Sequence, residues 1–253
     1  MGKVIVLGSG YAVPEEGHEN THLLIQQNEH TVLVDCGSSP LPRLKKAGIA
    51  FNQVTDLILT HFHADHVGGL PGFLVESWLM GRKNPLHIYG LTHTIDRAET
   101  MMGLFDWKKW PNFYPVIFHR LPDQEMSLVI NSPTLLIHSS MVKHMIPTIG
   151  LRISFLPEEK VLAYSGDTEP CPAVVGLARD ADILIHEAAG MSFGHSSAVQ
   201  AAQDARQAGV SKLYLIHYPR RSQEQAGWLD SASEIYTGPI LIAQDEMVIP
   251  IER

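Results

Sequence analysis

The chain has 253 residues, 45% hydrophobic and 18% charged, proportions that fit a folded globular protein and exclude a disordered one. With 19 Lys plus Arg against 27 Asp plus Glu the net charge is −8, a poor basis for gripping a long nucleic-acid backbone, although a local basic groove stays open. There is no run of ~18 apolar residues to span a membrane, no basic-then-apolar leader at the start, and only two cysteines, Cys36 and Cys171, so the expectation is a cytoplasmic protein with free thiols.

Val4-Ile5-Val6-Leu7, stopped by Gly8-Ser9-Gly10, predicts a strand entering a turn. Residues 21–26 and 31–35 predict a hairpin around Asn28-Glu29. Leu41 to Lys46, closed by Gly48, predicts a short helix, and 56–60 a short buried strand. Leu70, Phe73, Leu74 and Trp78 are spaced as on a helix over 69–80, and 86–89 predicts another strand. Between residues 92 and 115, Met101, Met102, Leu104, Phe105, Trp107, Trp110, Phe113 and Tyr114 crowd together. That much apolar surface wants cover, so the segment is expected to roof a cleft or to form a homodimer interface. Lys108-Lys109 beside the tryptophans offers a stacking patch for nucleic acid as the weaker alternative. Strands are then predicted at 134–138, 151–155, 161–165 and 183–186, an alanine-rich helix over 197–208 ending at Gly209, and strands at 213–217, 240–243 and 247–251. No Pro/Gly/Ser linker divides the chain, so residues 1–253 are expected to form one α/β domain of sheets with helices packed outside them.

The 14 histidines are the unusual feature, because imidazole is the commonest metal ligand. Four candidate ligands lie within six residues in Thr60-His61-Phe62-His63-Ala64-Asp65-His66, directly after an apolar strand and before a helix. His61 and His63 can face one metal while Asp65 and His66 turn to a second. Nitrogen with carboxylate suits zinc, iron or manganese better than calcium or magnesium. A short loop cannot enclose two metals alone, so further ligands are expected at other strand ends. His144 follows a strand, Asp167 follows Gly166, which lets the backbone turn sharply, and His217 ends another strand. His138 competes with His144. His87, His93 and His119 read as surface or pocket residues.

The series Leu-Val-Asp35-Cys-Gly, Leu-Thr-His61-Phe-His63-Ala-Asp65-His66, His144, Ser-Gly-Asp167-Thr and Leu-Ile-His217 resembles the metallo-β-lactamase superfamily over nearly the whole chain. Ile-His186-Glu187-Ala-Ala, Gly-His195-Ser-Ser-Ala-Val-Gln-Ala-Ala and His217-Tyr-Pro-Arg are similar to its ribonuclease Z-like and phosphodiesterase branch. The resemblance implies a four-layer αββα sandwich with two divalent transition-metal ions, zinc first, with manganese or iron as alternatives. It places His61, His63 and His144 on one metal, Asp65, His66 and His217 on the other, and Asp167 between them, with Asp35 supporting a histidine ligand from behind. It also implies a hydroxide nucleophile between the metals, with Asp65, Glu187 and His195 as catalytic residues, the last two protonating the leaving alkoxide. Arg152 and Arg220 are candidates for touching substrate phosphate.

Two departures separate the chain from ribonuclease Z. Only 145–166 lie between His144 and Asp167, room for a two-stranded return and no tRNA-holding arm, and the segment after His217 reads Tyr218-Pro219-Arg220-Arg221. The expected function is hydrolysis of small phosphodiesters such as cyclic nucleotides or short RNA 3′ ends, with no membrane partner. The alternatives are tRNA 3′ processing and a redox or non-catalytic metal-binding role. A lactam would have no use for the His195–Glu187 pair.

Overall fold

The computed structural model describes residues 2–219 and 222–253. Seven strands form the first sheet, β1 (Gly2–Gly8), β2 (His22–Gln27), β3 (His30–Val34), β4 (Asp56–Ile58), β5 (Leu86–Leu91), β6 (Val116–Leu121) and, returning from the far end of the chain, β14 (Val248–Ile251), in the order β14-β1-β2-β3-β4-β5-β6. Seven more form the second, β7 (Ser127–Asn131), β8 (Leu135–Val142), β9 (Thr148–Phe155), β10 (Lys160–Tyr164), β11 (Ile183–Glu187), β12 (Lys212–Ile216) and β13 (Ile240–Ile242), in the order β13-β12-β11-β10-β9-β8-β7. In each sheet antiparallel pairing gives way to a parallel run, β3 to β6 in one and β10 to β13 in the other.

Period-two alternation assigns the faces. Ile58 on β4 and Ile149, Leu151, Ile153 and Phe155 on β9 point into the core between the sheets. Leu57 and Leu59 point the other way, under α1 (Leu41–Lys46), α3 (Leu70–Leu79) and α4 (Thr92–Gly103). Leu184 and Leu213 likewise face α6 (Ala198–Ala208), which packs Ala198, Ala201, Ala202 and Ala205 against the second sheet. The result is the expected αββα sandwich. The α6 termini match the sequence signals: Ser197 and Gln200 form a reciprocal capping box, and Gly209 ends the helix at φ 71°. Also present are α2 (Ala64–Val67), α5 (Pro172–Ala178) and α7 (Ser222–Ser233). Among the described residues no helix is long and apolar enough to cross a membrane.

The aromatic segment is not where the sequence reading put it. β4, β5 and β6 start at the same edge, with Leu86 paired to Val116, and the histidine loop leaves the opposite edge after β4. α4 carries the chain back toward the starting edge, ~18 Å for its 12 residues, so residues 107–115 lie at the far end from that loop. There Trp107 and Tyr114 are buried, Trp110 stacks on Trp78 at 5.4 Å, and Trp78 Nε1–H donates to Pro111 O at 3.1 Å. The segment closes the outer core of its own sheet. It neither roofs a metal cleft nor supports the expected dimer.

Candidate metal centre

The carboxyl ends of the parallel strands, with the end of β8, gather the chemistry at one rim of the sandwich. Asp35 follows β3, the His61–His66 loop follows β4, His144 follows β8, Asp167 follows β10, Glu187 ends β11 and His217 follows β12. Ile149 N–H donates to Thr60 O at 3.1 Å and ties the two sheets together there. Asp35 and His217 adopt left-handed backbone, φ 63° and 55°, an arrangement that costs energy and concentrates at functional sites. Gly166 turns at φ 63°, and a Cβ on it would stand 2.6 Å from Ile149 O, so the approach of Asp167 depends on that glycine.

Two groups of donor atoms result: His61, His63 and His144, and Asp65, His66, Asp167 and His217, the atoms of each lying within 4.8 Å of one another. His63 Nδ1 sits 3.0 Å from His61 Nε2 and 3.1 Å from His144 Nε2. Asp167 Oδ2 lies 3.3 Å from His66 Nε2, 3.2 Å from His217 Nε2 and 3.9 Å from His61 Nε2, reaching both groups. Asp65 Oδ2 is 3.4 Å from His66 Nε2.

The outer ring nitrogens are fixed by hydrogen bonds. Asp35 accepts His66 Nδ1–H at 2.8 Å. Thr60 Oγ1, which donates to Asp35, accepts His61 Nδ1–H at 3.0 Å. Gly194 O accepts His144 Nδ1–H at 2.6 Å. Thr21 Oγ1, which donates to Gly10 O, accepts His217 Nδ1–H at 3.1 Å. Each of these four rings therefore turns its Nε2 inward, the nitrogen a metal would take in its deprotonated form. Burial holds His61 well below its ordinary pKa and His217 down to about 4. His66 behaves oppositely: burial resists its charge, but Asp167 and Asp35 raise its pKa well above the usual value. His66 Nε2 and Asp167 Oδ1 are buried with no hydrogen-bond partner. Facing lone pairs, orphaned inner atoms and excess carboxylate suit a divalent metal site.

Beside it, Glu187 is fully buried and not the surface acid its strand-end position allowed. Its Oε1 accepts from Thr168 N, Ser196 N and His195 Nδ1, the last at 2.9 Å, and its Oε2 accepts from Ala189 N. Burial works against charge on His195, but Glu187 raises its pKa. The His195 ring lies parallel to His217 at 5.7 Å and edge-on to His144 at 5.0 Å.

His138 lies on β8 opposite Arg152, outside both groups, so the position falls to His144. Arg152 Nη1 donates to Leu177 O and Arg179 O at 2.6 and 2.8 Å, tying down the end of α5. Those two bonds occupy Nη1, and Arg152 belongs to neither donor group. Arg220 lies outside the described residues. His87 and His119 bond each other at 2.9 Å on β5 and β6, away from the centre. Sequence reasoning missed Thr60, Gly194 and Thr21. Thr60 adjoins the motif, but Thr21 is 196 residues from its partner and carries no local signal.

The family model described as "Anti-Pycsar protein Apyc1" matches residues 2–236. The chain belongs to the Apyc1 family. This Apyc1-family chain is 30% identical over 275 residues to ribonuclease Z of Mycobacterium sp. (strain KMS), covering 97% of the chain and 94% of that protein. It is 28% identical over 304 residues to ribonuclease Z of Methanothermobacter thermautotrophicus, covering 100% and 97%. The latter alignment is longer than the chain, so that relative carries positions with no counterpart here. The short form of human tRNase Z superposes with TM-score 0.82 at 23% identity, covering 99% of this chain and 100% of that one. The Apyc1-family chain is thus a metal-binding hydrolase of the metallo-β-lactamase fold, in the ribonuclease Z-like branch.

Proposed function

We propose that the protein hydrolyses small phosphodiesters, such as cyclic nucleotides or short RNA 3′ ends, with two metal ions. The observation that carries this is the position of Asp167 Oδ2 between two histidine groups, with the His195–Glu187 pair against both. His61, His63 and His144 would hold one ion, and Asp65, His66 and His217 the other. Asp167 would join them. Imidazole and carboxylate without thiolate favour zinc, with manganese and iron next. When bound, such ions activate water and neutralise charge on phosphoryl oxygens.

The chain's own groups do the rest. As water adds to phosphorus and the P–O bond to the leaving group breaks, the departing oxygen takes a proton from His195 Nε2. Glu187, holding Nδ1–H, aims that nitrogen toward His144 and Asp167. Asp65 keeps its double assignment as ligand and catalytic carboxylate at the rim. Small substrates are favoured over tRNA because β9 and β10 make only a tight return between His144 and Asp167, and because the net charge is −8. Unpaired Cys36 and Cys171 are compatible with the cytoplasm.

Chelator-stripped protein should be inactive on bis(p-nitrophenyl) phosphate and regain activity as two equivalents of zinc are added. Full activity after stripping would contradict the proposal. Thr21→Val should weaken zinc at the His217 position ~10- to 100-fold, measured by chelator competition, and Thr21→Ser should keep wild-type affinity. Equal losses in both variants would mean that Thr21 serves packing instead.

A further inference from the structure

Three large apolar side chains on the segments next to His144 and His195 stand in solvent: Met191 is 83% exposed, Phe193 77% and Met145 46%. Residues 188–196 form a closed loop, not a loose one. Gly190 N–H donates to Ser196 O at 3.0 Å, Ser192 N–H to Gly190 O at 2.9 Å and His195 N–H to Ser192 O at 3.1 Å. Gly194 is clamped on both sides, its carbonyl accepting His144 Nδ1–H and its N–H donating to Glu169 Oε1 at 3.0 Å. Lys143 holds the other oxygen of Glu169 at 2.6 Å. At Gly194, φ is +84°, and a Cβ would meet His144 Nδ1 and Met145 Cγ, each at 3.0 Å. Phe193 is one residue away, ~3.8 Å along the chain, and His195 follows Gly194 directly. The Phe193 ring has no aromatic partner among the described residues.

A rigid loop that holds a phenyl ring in water beside a reaction centre marks a contact surface. The metal groups and His195 account for the phosphate and its leaving oxygen; the organic group on the phosphate has no partner yet. Lys143 is the only lysine or arginine in 141–147 and 188–196, and it pairs with Glu169, so these two segments offer no unpaired cation for a second phosphate. An exposed aromatic face one residue from Gly194, against which Met145 packs, suits a flat, uncharged ring system. We propose that Phe193 is the ledge on which a nucleobase of the substrate lies, which makes Phe193 a specificity-determining residue. The proposal rests on the phosphodiester reading above.

Two esters with one leaving group test it: thymidine 5′-(p-nitrophenyl) phosphate, which carries a base, and methyl p-nitrophenyl phosphate, which carries none. In zinc-loaded Phe193→Ala, KM for the thymidine ester should rise about 5- to 30-fold, the equivalent of stacking one base, with kcat retained. KM for the methyl ester should not move, Phe193→Trp should restore the thymidine KM, and zinc content should equal wild type in both variants. Equal changes on the two esters, or no change on either, would overturn the ledge and leave the hydrolase reading standing. A wild type inactive on both esters would overturn the hydrolase reading and the ledge with it.

Discussion

Replacing His195 with alanine is expected to slow hydrolysis of a nucleotide diester ~100- to 10,000-fold, the usual worth of general acid help, while a p-nitrophenyl diester loses little. The difference lies in the leaving group. A ribose alkoxide is a strong base and needs a proton as the P–O bond breaks, whereas p-nitrophenolate departs without one. Glu187 reaches His195 Nδ1 at 2.9 Å and leaves Nε2 as the donating atom, so Glu187→Gln should give the same pattern more weakly. The donor atoms of His195, His144 and Asp167 also lie within 4.8 Å of one another, so a ligand role would look similar by activity alone. Metal content separates the two. A proton donor leaves it at the wild-type value in His195→Ala; a fall in metal, or equal rate losses on both diesters, would assign His195 to the metal site.

Asp167→Ala should cost both ions. Its Oδ2 is, among the described residues, the one carboxylate oxygen within 4 Å of His61, His66 and His217 together, and removing a direct ligand should exceed the ~10- to 100-fold loss that follows loss of an outer partner. Affinities come from zinc titration against a chromophoric chelator, with Asp167→Asn as the isosteric control for folding. Two ions held as tightly as in wild type would end the bridging assignment. Loss of one ion with the other untouched would place Asp167 in a single site.

The centre was legible because its ligands sit where sequence speaks most plainly. His61, His63, Asp65 and His66 share one short loop-to-helix segment after an apolar strand, and Asp167 and His217 each follow such a strand. The strand ends and helical sets gave only sheets with helices packed outside them; the αββα order came from the resemblance to the metallo-β-lactamase superfamily. What sequence could not carry is which distant segments meet. Thr21 and His217 touch across most of the chain, and the clamp of Glu169 on Gly194 joins two loops with no shared motif. The aromatic cluster was correctly expected to need cover. What covers it depends on β5 and β6 being parallel, which sends α4 and the tryptophans to the far edge. Arg152 was only a candidate phosphate contact on sequence alone, and that its Nη1 bonds the carbonyls of Leu177 and Arg179 could not be read there. α4, β6, β7, α5 and α7 went unpredicted, β7 carrying a bulge between Leu128 and Ile130 that breaks its alternation.

The central claim is a two-metal phosphodiesterase for small substrates on a ribonuclease Z-like scaffold. It is tested most directly by kcat/KM of the zinc-loaded protein on a panel of cyclic nucleotides and dinucleotides against a 3′-extended tRNA precursor. The account predicts that at least one small diester is cleaved with much the higher kcat/KM and that the precursor is cut poorly or not at all. Efficient release of the tRNA trailer, with the small diesters left intact, would contradict it.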